Sequence, residues 1–160
     1  MKKKFNLDGP DGYRHYWRDL HRDPYVFLRR NFGGGSLMVW GGFGISGKLE
    51  LAFPSCRMNS QEYQGVLESY LLLLLSGPRP RTHVLQQDIA AVHVSNSTRK
   101  WLQRNGIKVI DWPACSPDCN PTEILWGIMV RRIYTNSGQY NSVRDLKEAV
   151  VVAWEEIDRN

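Results

Sequence analysis

Two carboxylates stand out by their placement. Asp88 closes a short predicted strand, His83 to Gln87, directly after the polar pair Gln86-Gln87. Glu123 falls in the first turn of a predicted helix that opens at Asn120-Pro121. Thirty-four residues separate the two acids. Carboxylates brought together supply hard anionic oxygens, the ligands that hard divalent cations prefer. Taken singly, each acid has a plainer role. An Asp after a strand commonly shapes a turn, and a Glu early in a helix commonly caps it. The three cysteines offer less: Cys115 and Cys119 flank Ser-Pro-Asp with no His or further Cys nearby. That is too little for a zinc site, so Cys56, Cys115 and Cys119 read as reduced structural thiols.

The elements that must position the pair follow from hydrophobic period and punctuation. Leu37 to Trp40 and Leu49 to Phe53 flank a turn at Ser46-Gly47, the pattern of a hairpin. Gly33 to Gly35 form a glycine-rich approach to it, and Tyr13 to Trp17 read as a further strand. Asn59 can cap a helix with Glu62 as its capping-box partner, and Tyr63, Val66, Leu67, Tyr70, Leu71 and Leu74 keep helical spacing. Gly77 to Pro80 end it. The segment Ser95 to Arg104 reads as a helix stopped by Asn105-Gly106, and Ile107 to Trp112 as a strand. A Pro-rich loop, 113–119, leads to the helix of Glu123, with Asn120 as N-cap and Pro121 at the first helical position. A last helix starts at Ser142, with Asp145 as capping partner, and presents Leu146, Ala149, Val150, Ala153, Trp154 and Ile157 on one face. Strands first, then strands alternating with helices, predict an α/β fold: a mixed sheet flanked by helices, in a single domain over residues 1–160. In such sheets ligands sit beyond the carboxyl ends of strands, where Asp88 lies.

Composition sets the class. Of 160 residues, 42% are apolar and 23% charged, ordinary globular values. The longest apolar run, Tyr70 to Leu75, is too short to span a bilayer, and Met1 to Asn6 lacks the apolar stretch of a signal peptide. No membrane partner and an intracellular location are expected. The net charge is +5, with basic residues grouped at Lys2 to Lys4, Arg29–Arg30, Arg79/Arg81, Arg99–Lys100 and Arg131–Arg132. A polyanion partner and a scatter of solvated charge fit that composition equally well.

The words around the two acids go further. Val84-Leu-Gln-Gln-Asp-Ile-Ala-Ala-Val-His93 resembles the block around the second catalytic Asp of mariner-superfamily transposases, Gln-Gln-Asp-Asn-Ala-Pro-x-His. Asp111-Trp-Pro-Ala-Cys-Ser-Pro-Asp-Cys-Asn-Pro-Thr-Glu-Ile-Leu-Trp126 resembles the block that carries the third carboxylate, Trp-Pro-x-x-Ser-Pro-Asp-Leu-Asn-Pro-Ile-Glu-Asn-Leu-Trp. The spacing between the acids matches the Tc-like branch. Gly33-Gly-Gly-Ser-Leu-Met-Val-Trp-Gly41, Asn6-Leu-Asp-Gly-Pro-Asp-Gly12 and Met58-Asn-Ser-Gln-Glu-Tyr63 also have counterparts, in the same order along nearly the whole chain. The resemblance implies an RNase H-like fold and a DDE chemistry in which carboxylates hold two Mg²⁺ (or Mn²⁺) ions that cut DNA and transfer the 3′ end. It makes Asp88 and Glu123 the catalytic and metal-holding residues, DNA the partner and the nucleus the location. The oligomeric state stays open.

This chain also departs from the family pattern. The family's first Asp, in Asp-Glu-x-x-Phe, corresponds to Met1, and its Glu to Lys2. The strand before that Asp and the helix-turn-helix region upstream are expected to be missing, as in a truncated or decayed copy or a reading frame begun at an internal Met. Asp8 and Asp11 sit in a Gly/Pro turn and read as turn residues rather than substitute ligands. Ile89 and Ala91 stand where the family has Asn and Pro. His93 keeps the family's identity, and a structural hydrogen bond accounts for a lone His as readily as catalysis does. The expected function is a transposase-type domain for DNA cleavage and strand transfer, inactive alone for want of the first Asp, with any metal held weakly. The alternatives are a non-catalytic nucleic-acid-binding remnant of a transposon and a pseudogene product with no selected role.

Overall fold

The computed structural model describes residues 1–10, 35–44, 47–75, 83–110, 120–135 and 138–157. The chain divides into two compact units, one made of Met1–Lys3 and Met38–Ile124, the other of Lys4–Leu37 and Leu125–Asn160. Strand β1 (Lys2–Asn6) pairs with β2 (Ser36–Trp40), β3 (Phe43–Gly44) with β4 (Gly47–Lys48), and β5 (Val84–Leu85) with β6 (Lys108–Val109). The β3–β4 pair is antiparallel and the β5–β6 pair parallel, and among the described residues the three pairs are separate two-stranded sheets rather than one continuous mixed sheet.

In the first unit, the expected hairpin exists with a shifted register. Phe43 faces Lys48 and Gly44 faces Gly47, whereas Trp40 bridges Ala52. Residues 41–42 therefore oppose residues 49–51, a β-bulge that the alternating pattern does not announce. Gly47 lies in β4 with φ at +113°, a conformation open to glycine, rather than at the centre of the turn.

Helix α1 (Ser60–Val66) starts where the capping residue predicts: the Asn59 side chain accepts from the Glu62 N–H at 2.9 Å. The reciprocal half of the capping box is absent. The Glu62 carboxylate instead grips Ser55, accepting from its N–H at 2.6 Å and from its hydroxyl at 2.7 Å. The helix runs on through a π-helical segment (Leu67–Leu72) into α2 (Leu73–Leu75). Tyr63, Leu67 and Leu71, spaced by four, turn inward onto Trp40, Ala52, Met58 and Leu102.

The grip on Ser55 makes a pH prediction. The hydrogen bonds from Ser55 hold the Glu62 carboxyl below its usual value of 4.5. A depressed folded-state value means the stabilisation is present above the unfolded value and is lost as pH falls through the folded one. Glu62→Gln is therefore expected to destabilise the chain modestly at neutral pH and to cost progressively less below about pH 4. Thermal melts of both proteins across that range check it.

After β5, the chain forms two short helices where the sequence suggests one. Ala91–Val94 is α3 and Asn96–Arg104 is α4. Ser95, with extended backbone, breaks them and caps α4 by accepting from the Thr98 N–H at 3.2 Å. Gly106, at φ +66°, closes α4. The apolar side of α4 packs on α1 through Leu102, and Gln64 donates to Ser97 at 2.8 Å.

The second unit is built on helices α5 (Pro121–Ile133) and α6 (Val143–Glu155), α5 beginning within the first unit. Ser142 caps α6 by accepting from the Asp145 N–H at 3.1 Å. Trp126 is wholly buried, edge-on to Phe5 at 6.2 Å and stacked on Trp154 at 6.1 Å. Met129, Leu146 and Val150 complete this core, and the Tyr134 hydroxyl donates to the Asn6 carbonyl at 2.7 Å. The expected strand at 13–17, the turn at 77–80 and the loop at 113–119 lie outside the described residues.

Candidate active site

Asp88 is the third residue after β5, and a buried network fixes it. The Tyr63 hydroxyl donates to Gln87 Oε1 at 2.7 Å, and Gln87 Nε2 donates to the His93 carbonyl at 3.3 Å. Asp88 Oδ1 accepts from the Ala90 N–H at 3.0 Å, closing an Asx-type turn. The same oxygen accepts from His93 Nδ1 at 2.5 Å. An ionised carboxylate cannot donate, so the proton of this bond sits on Nδ1. The His93 ring is fully buried and lies against the Tyr63 ring at 4.3 Å. The α3–α4 junction that presents His93 is itself tied, since the buried Thr98 hydroxyl donates to the Val92 carbonyl at 2.7 Å. Helical spacing registers Tyr63 only as an apolar position. The signal for Gln87 was present in the polar pair that interrupts the strand before the acid.

These contacts set the electrostatics. Partial burial pushes the Asp88 carboxyl up, but the hydrogen bonds from His93 and the Ala90 N–H, with the charges of His93 and the Met1 ammonium, outweigh it and hold it below the usual carboxylate range. Burial, and next the Asp88 charge, push the Tyr63 phenol far up, so it remains a donor. Asp88 Oδ1 takes both side-chain bonds seen among the described residues, which leaves Oδ2 available to a cation.

Glu123 stands in the first turn of α5. Asn120, itself buried, caps the helix: its Oδ1 accepts from the Thr122 N–H at 3.1 Å and its carbonyl accepts from the Glu123 N–H at 2.9 Å. Asn120 Nδ2 also lies 3.0 Å from the Met1 sulfur. Met1 is held against Gly41, its ammonium donating to the Gly41 carbonyl at 2.6 Å. Burial lowers that ammonium to about 5, opposed first by the charge of Asp88 and then by that of Glu123. Both carboxylates therefore act on one atom, the nitrogen of residue 1.

Asp8 occupies a turn closed by the Gly9 N–H donating to Asn6, consistent with the turn role expected of it. Asp11, Cys115, Asp118 and Cys119 lie outside the described residues. Among the described residues no group of three or more His, Cys, Asp or Glu is placed to hold a metal ion.

Residues 5–147 match the family model of the DDE superfamily endonucleases. The chain belongs to that family. Among relatives of the DDE endonucleases, it is 52% identical over 159 residues to the transposable element Tc3 transposase of Caenorhabditis elegans, covering 99% of this chain and 48% of that protein. Its fold is similar to that of the Mos1 transposase in a paired-end complex with the left transposon end, with a TM-score of 0.77, 20% identity, and coverage of 99% of this chain and 47% of that one. It is also similar to the catalytic domain of Mos1 mariner transposase, with a TM-score of 0.66, 23% identity, and coverage of 77% and 63%. The fold is thus the RNase H-like one that the motifs imply, and the mariner/Tc resemblance holds. The chain spans about half the length of the relatives it matches.

Proposed function

We propose that this chain is the carboxylate-bearing core of a transposase-type protein that cuts DNA and transfers the 3′ end, and that the 160 residues alone are catalytically inert. One observation carries the reading: residues 5–147 match the DDE endonuclease family with Asp88 and Glu123 inside the matched stretch, and the charges of both acids bear on the buried nitrogen of residue 1, the position where the family's first Asp stands. The similarity to a transposase, and a fold shared with a protein held on a transposon end, support DNA as substrate. A nuclear location would follow from that substrate. Among the described residues no helix is long and apolar enough to cross a membrane.

The residues fit one divalent ion better than two. Asp88 Oδ2 and the Glu123 carboxylate are hard donors suited to Mg²⁺ or Mn²⁺. When bound, a pair of such ions stabilises both the attacking and the leaving oxygen of a phosphodiester exchange. A pair needs a bridging carboxylate, and residue 1 is Met. What the chain supplies is orientation: His93 and Ala90 fix Asp88, and the Asn120 cap fixes Glu123.

Calorimetric titration with Mn²⁺ is expected to show weak binding, abolished by Asp88→Ala and by Glu123→Ala. A supercoiled plasmid should stay intact with either ion. Cleavage by the unaltered chain that Asp88→Ala leaves intact, or that Asp8→Ala removes, would mean that the ligands are misassigned.

A further inference from the structure

Between Asp88 and Asp111 the sequence holds no acidic residue, yet it carries Arg99, Lys100, Arg104 and Lys108. The structure collects these cations. Helix α4 buries Thr98 and Leu102 and leaves Asn96, Ser97, Arg99, Lys100, Gln103 and Arg104 exposed, with Lys108 exposed on β6. Lys100 and Arg104 stand about one helical turn, ~5–6 Å, apart along one side, with Arg99 about 100° round the helix from Lys100. Among the described residues none of the four pairs with a carboxylate. Elsewhere the pattern differs: Arg132 lies 3.8 Å from Glu156, and Arg144 lies 3.1 Å from Glu148.

We infer that the outer face of α4 is a duplex-DNA docking surface that grips the phosphate backbone beside the Asp88 loop. This rests on the reading of the chain as a DNA-acting core. The face holds no aromatic or aliphatic side chain, and a protein partner would be expected to need such an anchor. A membrane-surface helix also needs an exposed apolar side, and the apolar side of α4 is spent on α1. The aromatic of the helix, Trp101, is half-buried against the core rather than exposed to stack unpaired bases, so single strands are not favoured. Long cationic stems at one-turn spacing suit successive phosphates, which position a duplex without reading its sequence. Because α3 and α4 follow directly from Asp88, a duplex held here passes next to that carboxylate.

The test compares the full chain with two charge-matched triple variants. One is Arg99→Ala/Lys100→Ala/Arg104→Ala. The other is Arg131→Ala/Arg132→Ala/Arg144→Ala, drawn from α5 and α6. Binding to a short mixed-sequence duplex is followed by fluorescence anisotropy between about 50 and 200 mM salt. Each phosphate neutralised contributes about 0.9 to the slope of log affinity against log salt, so the α4 variant should lose about 2 to 3 of slope. The control should lose much less. Equal losses in the two variants would overturn the docking face while leaving the proposed function standing. No duplex binding by the unaltered chain at the lowest salt would instead bring down the DNA reading itself. Melting temperatures within a few degrees of the parent show that both variants fold, because these side chains are exposed.

Discussion

A chain carrying Met1→Asp and Lys2→Glu, preceded by an apolar strand, is expected to bind Mn²⁺ roughly tenfold more tightly or better and to nick supercoiled DNA in its presence. The geometry gives the reason. Residue 1 is already buried, held to Gly41 on both its N–H and C=O sides, and already feels the charges of Asp88 and Glu123. A carboxylate there is expected to join Asp88 and Glu123 as a third acid, because both charges already bear on residue 1. It would also remove the Met1 sulfur from Asn120, which remains free to cap α5 through its Oδ1. Three acids without a cation repel one another, so the altered chain should be less stable than the parent in chelator and regain stability with Mn²⁺. Within the altered chain, Asp88→Ala should erase both the tighter binding and the nicking. Metal affinity that stays at the parent level, in a protein shown by circular dichroism to be folded, would mean that residue 1 does not complete the cluster.

The sequence made the two acids legible because each sits inside a block of fixed residues, Gln-Gln-Asp and Asn-Pro-Thr-Glu, rather than because an isolated Asp or Glu says much. It made three caps legible too, since Asn59, Asn120 and Ser142 act through hydrogen bonds local to their own helices. Ile89 and Ala91 replace the Asn and Pro that the family has beside Asp88. The structure shows why the turn survives: Ala90 donates a backbone N–H, which any residue but Pro supplies, and His93 holds the same oxygen. Less legible was everything that depends on contacts distant in sequence. Tyr63 supports Asp88 from 25 residues away through Gln87 and the His93 ring, and helical periodicity registers it only as an apolar position. Glu62 looked like half of a capping box, but Ser55 offers it two donors in the preceding loop and outcompetes the single N–H of Asn59. The β-bulge between Lys48 and Ala52 is invisible to alternation, because one inserted residue resets the pattern without changing its character.

Trp126→Ala should be the most destabilising single exchange in the second unit, at about 3–5 kcal/mol. Trp126 is completely buried between Phe5 and Trp154, so truncation removes two ring contacts and leaves a cavity that rigid aromatic neighbours cannot collapse. In a chain of this size that loss corresponds to a fall in Tm of roughly 10 °C or more. Trp126→Phe should cost well under half as much. It keeps most of the ring packing, and it removes an indole N–H that is buried without an acceptor among the described residues. Ile124→Ala, two residues earlier and 61% exposed, should change stability by no more than about 0.5 kcal/mol. The series also bears on the site, because Trp126 and Glu123 share helix α5 three residues apart. Loss of the anchor at Trp126 should weaken Mn²⁺ binding at temperatures where Trp126→Ala is still folded, while Ile124→Ala leaves it unchanged. Comparable melting temperatures for Trp126→Ala and Ile124→Ala would mean that the packing of α5 does not hold its first turn in place.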